Sequence, residues 1–186
     1  MLGKLPPDQI VPALPKGVWF SCVGEPLDDS ERSECASYLR ALAMPGLDTS
    51  SLQITGVRDW PQARAISNAP NWSRQWWEAE RLEERRLFEI AAGKYSADAV
   101  LMRLTNLMEG SSELFHGPAT VACIRVGIAD PGLARSAAGA ASHSLHQYGI
   151  AQLADSSEDH LFAVKFRLFL AGRWPLSVDD EKFYIF

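Results

Sequence analysis

The chain has 186 residues, with 18 Lys and Arg against 23 Asp and Glu for a net charge of −5, and 47% of it is hydrophobic. These values describe one globular domain large enough to bury a core without disulfides or metal, so no cofactor is expected. No run approaches the ~20 apolar residues of a membrane span, and no basic stretch exceeds Arg85-Arg86, so neither a membrane nor a nucleic-acid backbone is an expected partner.

Residues 1–16 hold Pro6, Pro7, Pro12 and Pro15 and read as an extended arm, with a single domain over 17–186. The arm lacks the continuous apolar block of a secretory signal. Cys22, Cys35 and Cys123 are odd in number and far apart, which fits reduced thiols and a cytoplasmic location. Asn71-Trp72-Ser73 is then a chance sequon.

Val18 to Val23 is aromatic and β-branched and closes on Gly24 and Pro26, as a short strand does. Asp28 to Ser30 offer N-caps for a first helix with Glu31 and Glu34 in its opening turn and Tyr38, Leu39 and Leu42 beyond, ending at Pro45-Gly46. Leu52 to Val57 fits a second short strand, and Asp59-Trp60-Pro61 opens a turn or short helix. Ser73 to Ala92 carries a thin apolar stripe of Trp76, Ala79, Leu82, Leu87 and Ile90 among charges, which predicts a helix with one wet face. Ser96 caps a helix with Val100, Leu101, Leu104, Leu107 and Met108 in register and Leu114 and Phe115 beyond.

Gly117-Pro118 is expected to restart the chain. Ala119 to Val126 fits a helix or a strand equally well. Asp130-Pro131 starts a long Ala-rich helix in which Gly139 marks a close approach by another backbone. Leu161 to Ala171 alternates like a strand at Phe162, Val164, Phe166 and Leu168, and Lys165 falls inside its apolar face. Its length and the stop at Gly172 favour a helix. Trp174 to Phe186 reads as a terminal hairpin that pairs with Val18 to Val23. The expected fold is mainly α, a bundle of five or six helices around the Ala-rich one, with a small antiparallel sheet.

The common phosphate, dinucleotide, acyl-transfer and zinc signatures are all missing. Three constellations remain. Glu113-x-x-His116 and His143-x-x-His146 each put two ligands on one helix face, a set suited to iron, manganese or zinc. Glu78, Glu80 or Glu84 would complete it only if the charged helix turned its wet face inward. Trp72, Trp76 and Trp77 beside Arg74 cannot all pack on one neighbour, because Trp72 and Trp76 share a face at i,i+4 and Trp77 is rotated about 100° away from it. That leaves aromatic surface of the kind used to bind another protein. Arg167 and Arg173 are anion-binding candidates or flanking stems. The leading expectation is a non-enzymatic protein-binding domain, accessory, regulatory or immunity-type. The alternative is a metal-binding bundle or metal-dependent enzyme.

Overall fold

The computed structural model describes residue 14 and residues 17–67, 74–109, 111–127, 131–179 and 181–186. Most of the expected arm lies outside these residues. Leu14 does not: it is fully buried, and its carbonyl accepts from Trp19 Nε1.

Among the described residues seven α-helices form: α1 (Asp29–Ala41), α2 (Trp60–Ser67), α3 (Arg74–Tyr95), α4 (Ala97–Glu109), α5 (Ser112–Arg125), α6 (Pro131–Leu153) and α7 (Leu161–Leu170). Three short strands, β1 (Gln53–Gly56), β2 (Pro175–Val178) and β3 (Lys182–Ile185), make a mixed sheet in the order β1-β3-β2. The protein is mainly α with a small sheet. No described helix is long and apolar enough to cross a membrane.

Local sequence explains the helix ends. Asp28 accepts from the Glu31 backbone N–H and Glu31 from that of Asp28, a reciprocal capping box that starts α1. Ser96 Oγ accepts from the Ala99 N–H at the head of α4. Gly172, at φ +89°, closes α7 in a Schellman motif, with Gly172 N–H on Phe169 O and Arg173 N–H on Leu168 O.

α6 is the central element and packs against α3, α4, α5 and α7. Ala134, Ala137, Ala138 and Ala141 are all buried, and their small side chains let α5 lie close. α7 is buried on nearly every side, Lys165 included, because it separates two halves of the core. Phe166 and Phe169 face the Trp19, Phe115 and Leu145 side, whereas Phe162, Val164 and Leu168 face the Tyr38, Leu104 and Phe183 side. That double burial is why its sequence shows no clean helical period.

The structure departs from the sequence reading in four places. Val18 to Val23 is a succession of turns. Phe20 has φ +58°, and Arg125 and Arg173 capture the carbonyls of Phe20, Ser21, Cys22, Val23, Glu25 and Pro26 that a ladder would have used. The hairpin's partner is instead β1, which runs parallel to β3 with Gln53 opposite Lys182. The break expected at Gly117-Pro118 falls before Ser112, and α5 runs through Pro118. Proline removes one backbone donor there, but Phe115, Ala119, Ala122 and Cys123 form a continuous buried stripe that offsets the loss. Finally, nothing lies within 4 Å of a Cβ built on Gly139; the close approach is at Gly149, whose Cβ would meet Leu107 Cδ2 at 2.6 Å.

Candidate functional site

The inward face of α3 differs from the apolar stripe in its sequence. Trp76, Ala79, Glu80, Leu87 and Ala91 are buried, while Leu82 is exposed. The charged helix has turned carboxylates toward the bundle, and each meets a different partner.

Glu80 anchors a buried network drawn from four helices. Its carboxylate accepts from Lys165 Nζ at 2.8 and 2.6 Å, from Tyr38 Oη at 2.6 Å and from Gln147 Nε2 at 3.2 Å. Lys165 also donates to Gln147 Oε1 at 3.1 Å and lies 5.0 Å from the Trp76 ring centroid. Trp76 Nε1 donates in turn to Tyr38 Oη. Burial, then the adjacent Glu80 charge, push the Tyr38 phenol well above its ordinary value, which keeps it a donor. Buried charges are stable only when paired and hydrogen-bonded, as these are.

Glu83 is held by Arg86 through two bonds of 2.7 and 2.6 Å and by His160 Nε2 at 2.8 Å. His160 Nδ1 accepts from the Phe162 N–H at the head of α7, which leaves the ring proton on Nε2 to be donated to Glu83. The bonds from Arg86, followed by that from His160 and against the opposing effect of burial, lower the Glu83 carboxyl below its ordinary value.

Glu84 meets the two α6 histidines. Its Oε1 lies 3.4 Å from His146 Nδ1 and its Oε2 3.8 Å from His143 Nε2, and the three ligand atoms fall within 4.8 Å of one another. The imidazole rings are parallel with centroids 6.3 Å apart. Partial burial, then the Lys165 charge, hold His143 below its ordinary value against the pull of Glu84 and Glu80, although half of its side chain still meets solvent.

Above the Glu80 network opens a cavity of about 610 Å³. Trp60, Trp76, Trp77, Trp174 and Phe169 form its aromatic walls, Glu80 and Lys165 lie in its lining, and Arg64, Arg81 and His143 add polar groups. Gly139 and Ala140 supply a wall with almost no side chain. Trp76 is 4% exposed and Trp77 53%, so these neighbours present one buried and one open ring to the same space.

Of the residues singled out from the sequence, the structure brings together His143, His146, Trp76 and Trp77. Glu113 and His116 are exposed on α5, and neither belongs to the ligand-distance group found among the described residues; Glu84 takes that place. Arg74 is exposed at the start of α3 and does not line the cavity, and Trp72 lies outside the described residues. Arg167 is engaged by Glu34 and by the Glu158 carbonyl. All five N–H groups of Arg173 are taken up by Glu31 and by the carbonyls of Cys22, Glu25 and Pro26, so it has no donor left for a bound anion. Sequence reasoning missed Arg64, Arg81, Tyr38 and Gln147. The signal for the network was present: a lysine inside an apolar helix face requires a buried acid elsewhere in the chain. No protein-family model, curated protein or solved structure matches the chain.

Proposed function

We propose that the chain is a binding protein whose cavity takes up a small planar aromatic ligand carrying negative charge. The observation that carries this reading is the convergence of four of the chain's six tryptophans on one cavity of about 610 Å³. That volume lies within the range of small-molecule sites, which combine apolar walls with a few convergent polar groups. Flat indole walls favour a flat ligand. Arg64 and Arg81 line the same space and make no ion pair among the described residues, whereas the Lys165 charge is matched by Glu80. The cavity is therefore locally cationic on a chain of net charge −5, and guanidinium suits both carboxylate pairing and aromatic stacking.

Capture of a protein partner is the second reading, supported by Trp77. Its open ring stands in the cavity wall, where a partner's aromatic or acidic side chain would meet the same chemistry. A cytoplasmic setting, with the three free thiols kept reduced, belongs to the same proposal.

The test is a titration of the full chain, in chelator, with benzoate, naphthoate and indole carboxylates, read by tryptophan fluorescence and calorimetry. Saturable binding at micromolar concentration, weakened in Arg81→Ala and abolished in Gly139→Leu, supports the reading. No saturable binding up to millimolar ligand overturns it and leaves capture of a protein as the reading to pursue.

A further inference from the structure

We infer that Glu84, His143 and His146 form a binding site for one divalent first-row transition ion, with Zn2+ or Fe2+ as its natural class of occupant. Two imidazoles and a carboxylate are a donor set these ions accept. The three ligand atoms already lie within 4.8 Å of one another. Two donors each about 2.1 Å from one ion, at tetrahedral or octahedral angles, lie about 3.0–3.4 Å apart; His146 Nδ1 is 3.4 Å from Glu84 Oε1, while His143 Nε2, 3.8 Å from Oε2, has a few tenths of an ångström to close on binding.

Two further observations separate this cluster from an ordinary ion pair. His146 Nδ1 is buried with no hydrogen-bond partner, although it faces Glu84 Oε1. Buried ring nitrogens are seldom left unsatisfied, and an ion between the two groups would satisfy both. Glu84 is also the odd one among the three inward carboxylates of α3. Glu80 has Lys165 and Glu83 has Arg86, but among the described residues Glu84 has no Lys or Arg partner.

His143 and His146 are three apart and so share a face of α6, and Glu84 projects from the helix packed beside it. Three protein ligands leave coordination positions open. His143 belongs both to this set and to the cavity wall, so the ion borders the cavity.

The experiment uses the full chain stripped with chelator and titrated with Co2+ alone, read by visible absorption, and with Zn2+ alone, read by calorimetry. It needs no organic ligand, so its outcome is independent of whether the cavity binds one. One ion per chain is expected, with at least about a ten-fold loss of affinity in Glu84→Gln, His143→Ala and His146→Ala and none in His116→Ala. His143 is half-exposed, so its variant stays folded even if another does not, and circular dichroism checks each. A folded wild type that binds neither ion tighter than about 100 μM (about −5.5 kcal/mol), or binding unchanged in both His143→Ala and His146→Ala, overturns the assignment.

Discussion

Lys165 donates to both oxygens of Glu80 in a junction of four helices where each side chain is only 7% exposed. The pair is 85 residues apart in sequence, so it ties α7 to α3 directly. Removing one member strands the other charge in the core. Lys165→Met is expected to lose about 3–5 kcal/mol of stability. The double variant with Glu80→Leu should lose much less than the sum of the single changes. A urea-denaturation double-mutant cycle measures this, and a loss below about 1 kcal/mol in Lys165→Met would contradict it.

Arg173 offers a sharper test of geometry than of charge. It uses five donors on Glu31 and three carbonyls and is 3% exposed. Lysine keeps the charge but has three donors and no planar fork. Arg173→Lys is therefore expected to destabilise the fold by about 2 kcal/mol or more, with the turn over residues 20–26 gaining amide exchange before the helices do. Uniform exchange behaviour would argue against a local clamp.

Two glycines of α6 should respond with opposite signs. Gly139→Ala meets open space and gains helix propensity, up to about 1 kcal/mol. Gly149→Ala drives a methyl onto Leu107 and Leu104 and should lose more than that gain through overpacking, about 1–3 kcal/mol gross. Thermal melts of the two variants decide it.

The thiols should separate by reactivity. Burial, with the Glu31 charge adding to it, pushes the Cys35 thiol up to about 12, so it stays protonated and is a poor nucleophile. Cys22 is half-buried. At pH about 8 a disulfide reagent is expected to modify Cys22 first and to reach Cys35 only on unfolding. Mass spectrometry of partially labelled protein would show the order.

Acid should weaken the Glu83 tie between α3 and the head of α7. The folded carboxyl is depressed below its ordinary value of 4.5, so its stabilisation is fully present above that value and is lost as pH falls through the lower folded one. Between pH about 6 and about 3 the wild type should lose more stability than Glu83→Gln. Parallel pH profiles of unfolding free energy would count against this.

Elements governed by neighbouring residues were legible in the sequence. The Asp28 and Glu31 cap, the Ser96 cap and the Gly172 stop each act within a few residues, and all three are found. The inward face of α3 was not legible, because hydropathy assigns a carboxylate to solvent unless its partner is known. The partners of Glu80 lie on α1, α6 and α7 and those of Glu84 on α6, all distant along the chain. The turn at Val18 to Val23 was misread for a related reason: the guanidiniums that fix it come from Arg125 and Arg173. The two histidines that meet Glu84 were visible as an i, i+3 pair, while that carboxylate was one of several acids on α3 that only packing distinguishes.

The parallel pairing of β1 with β3 joins a strand beginning at Gln53 to one beginning at Lys182. A synthesising ribosome therefore exposes β1 long before its ladder partner exists. During that interval Ile54 and its neighbours present an unpaired edge, the kind of surface that recruits other nascent chains. Closing so long a loop also favours late sheet formation, after the local helices. Folding of this chain should then be helices first and edge last, with the hairpin as the latch.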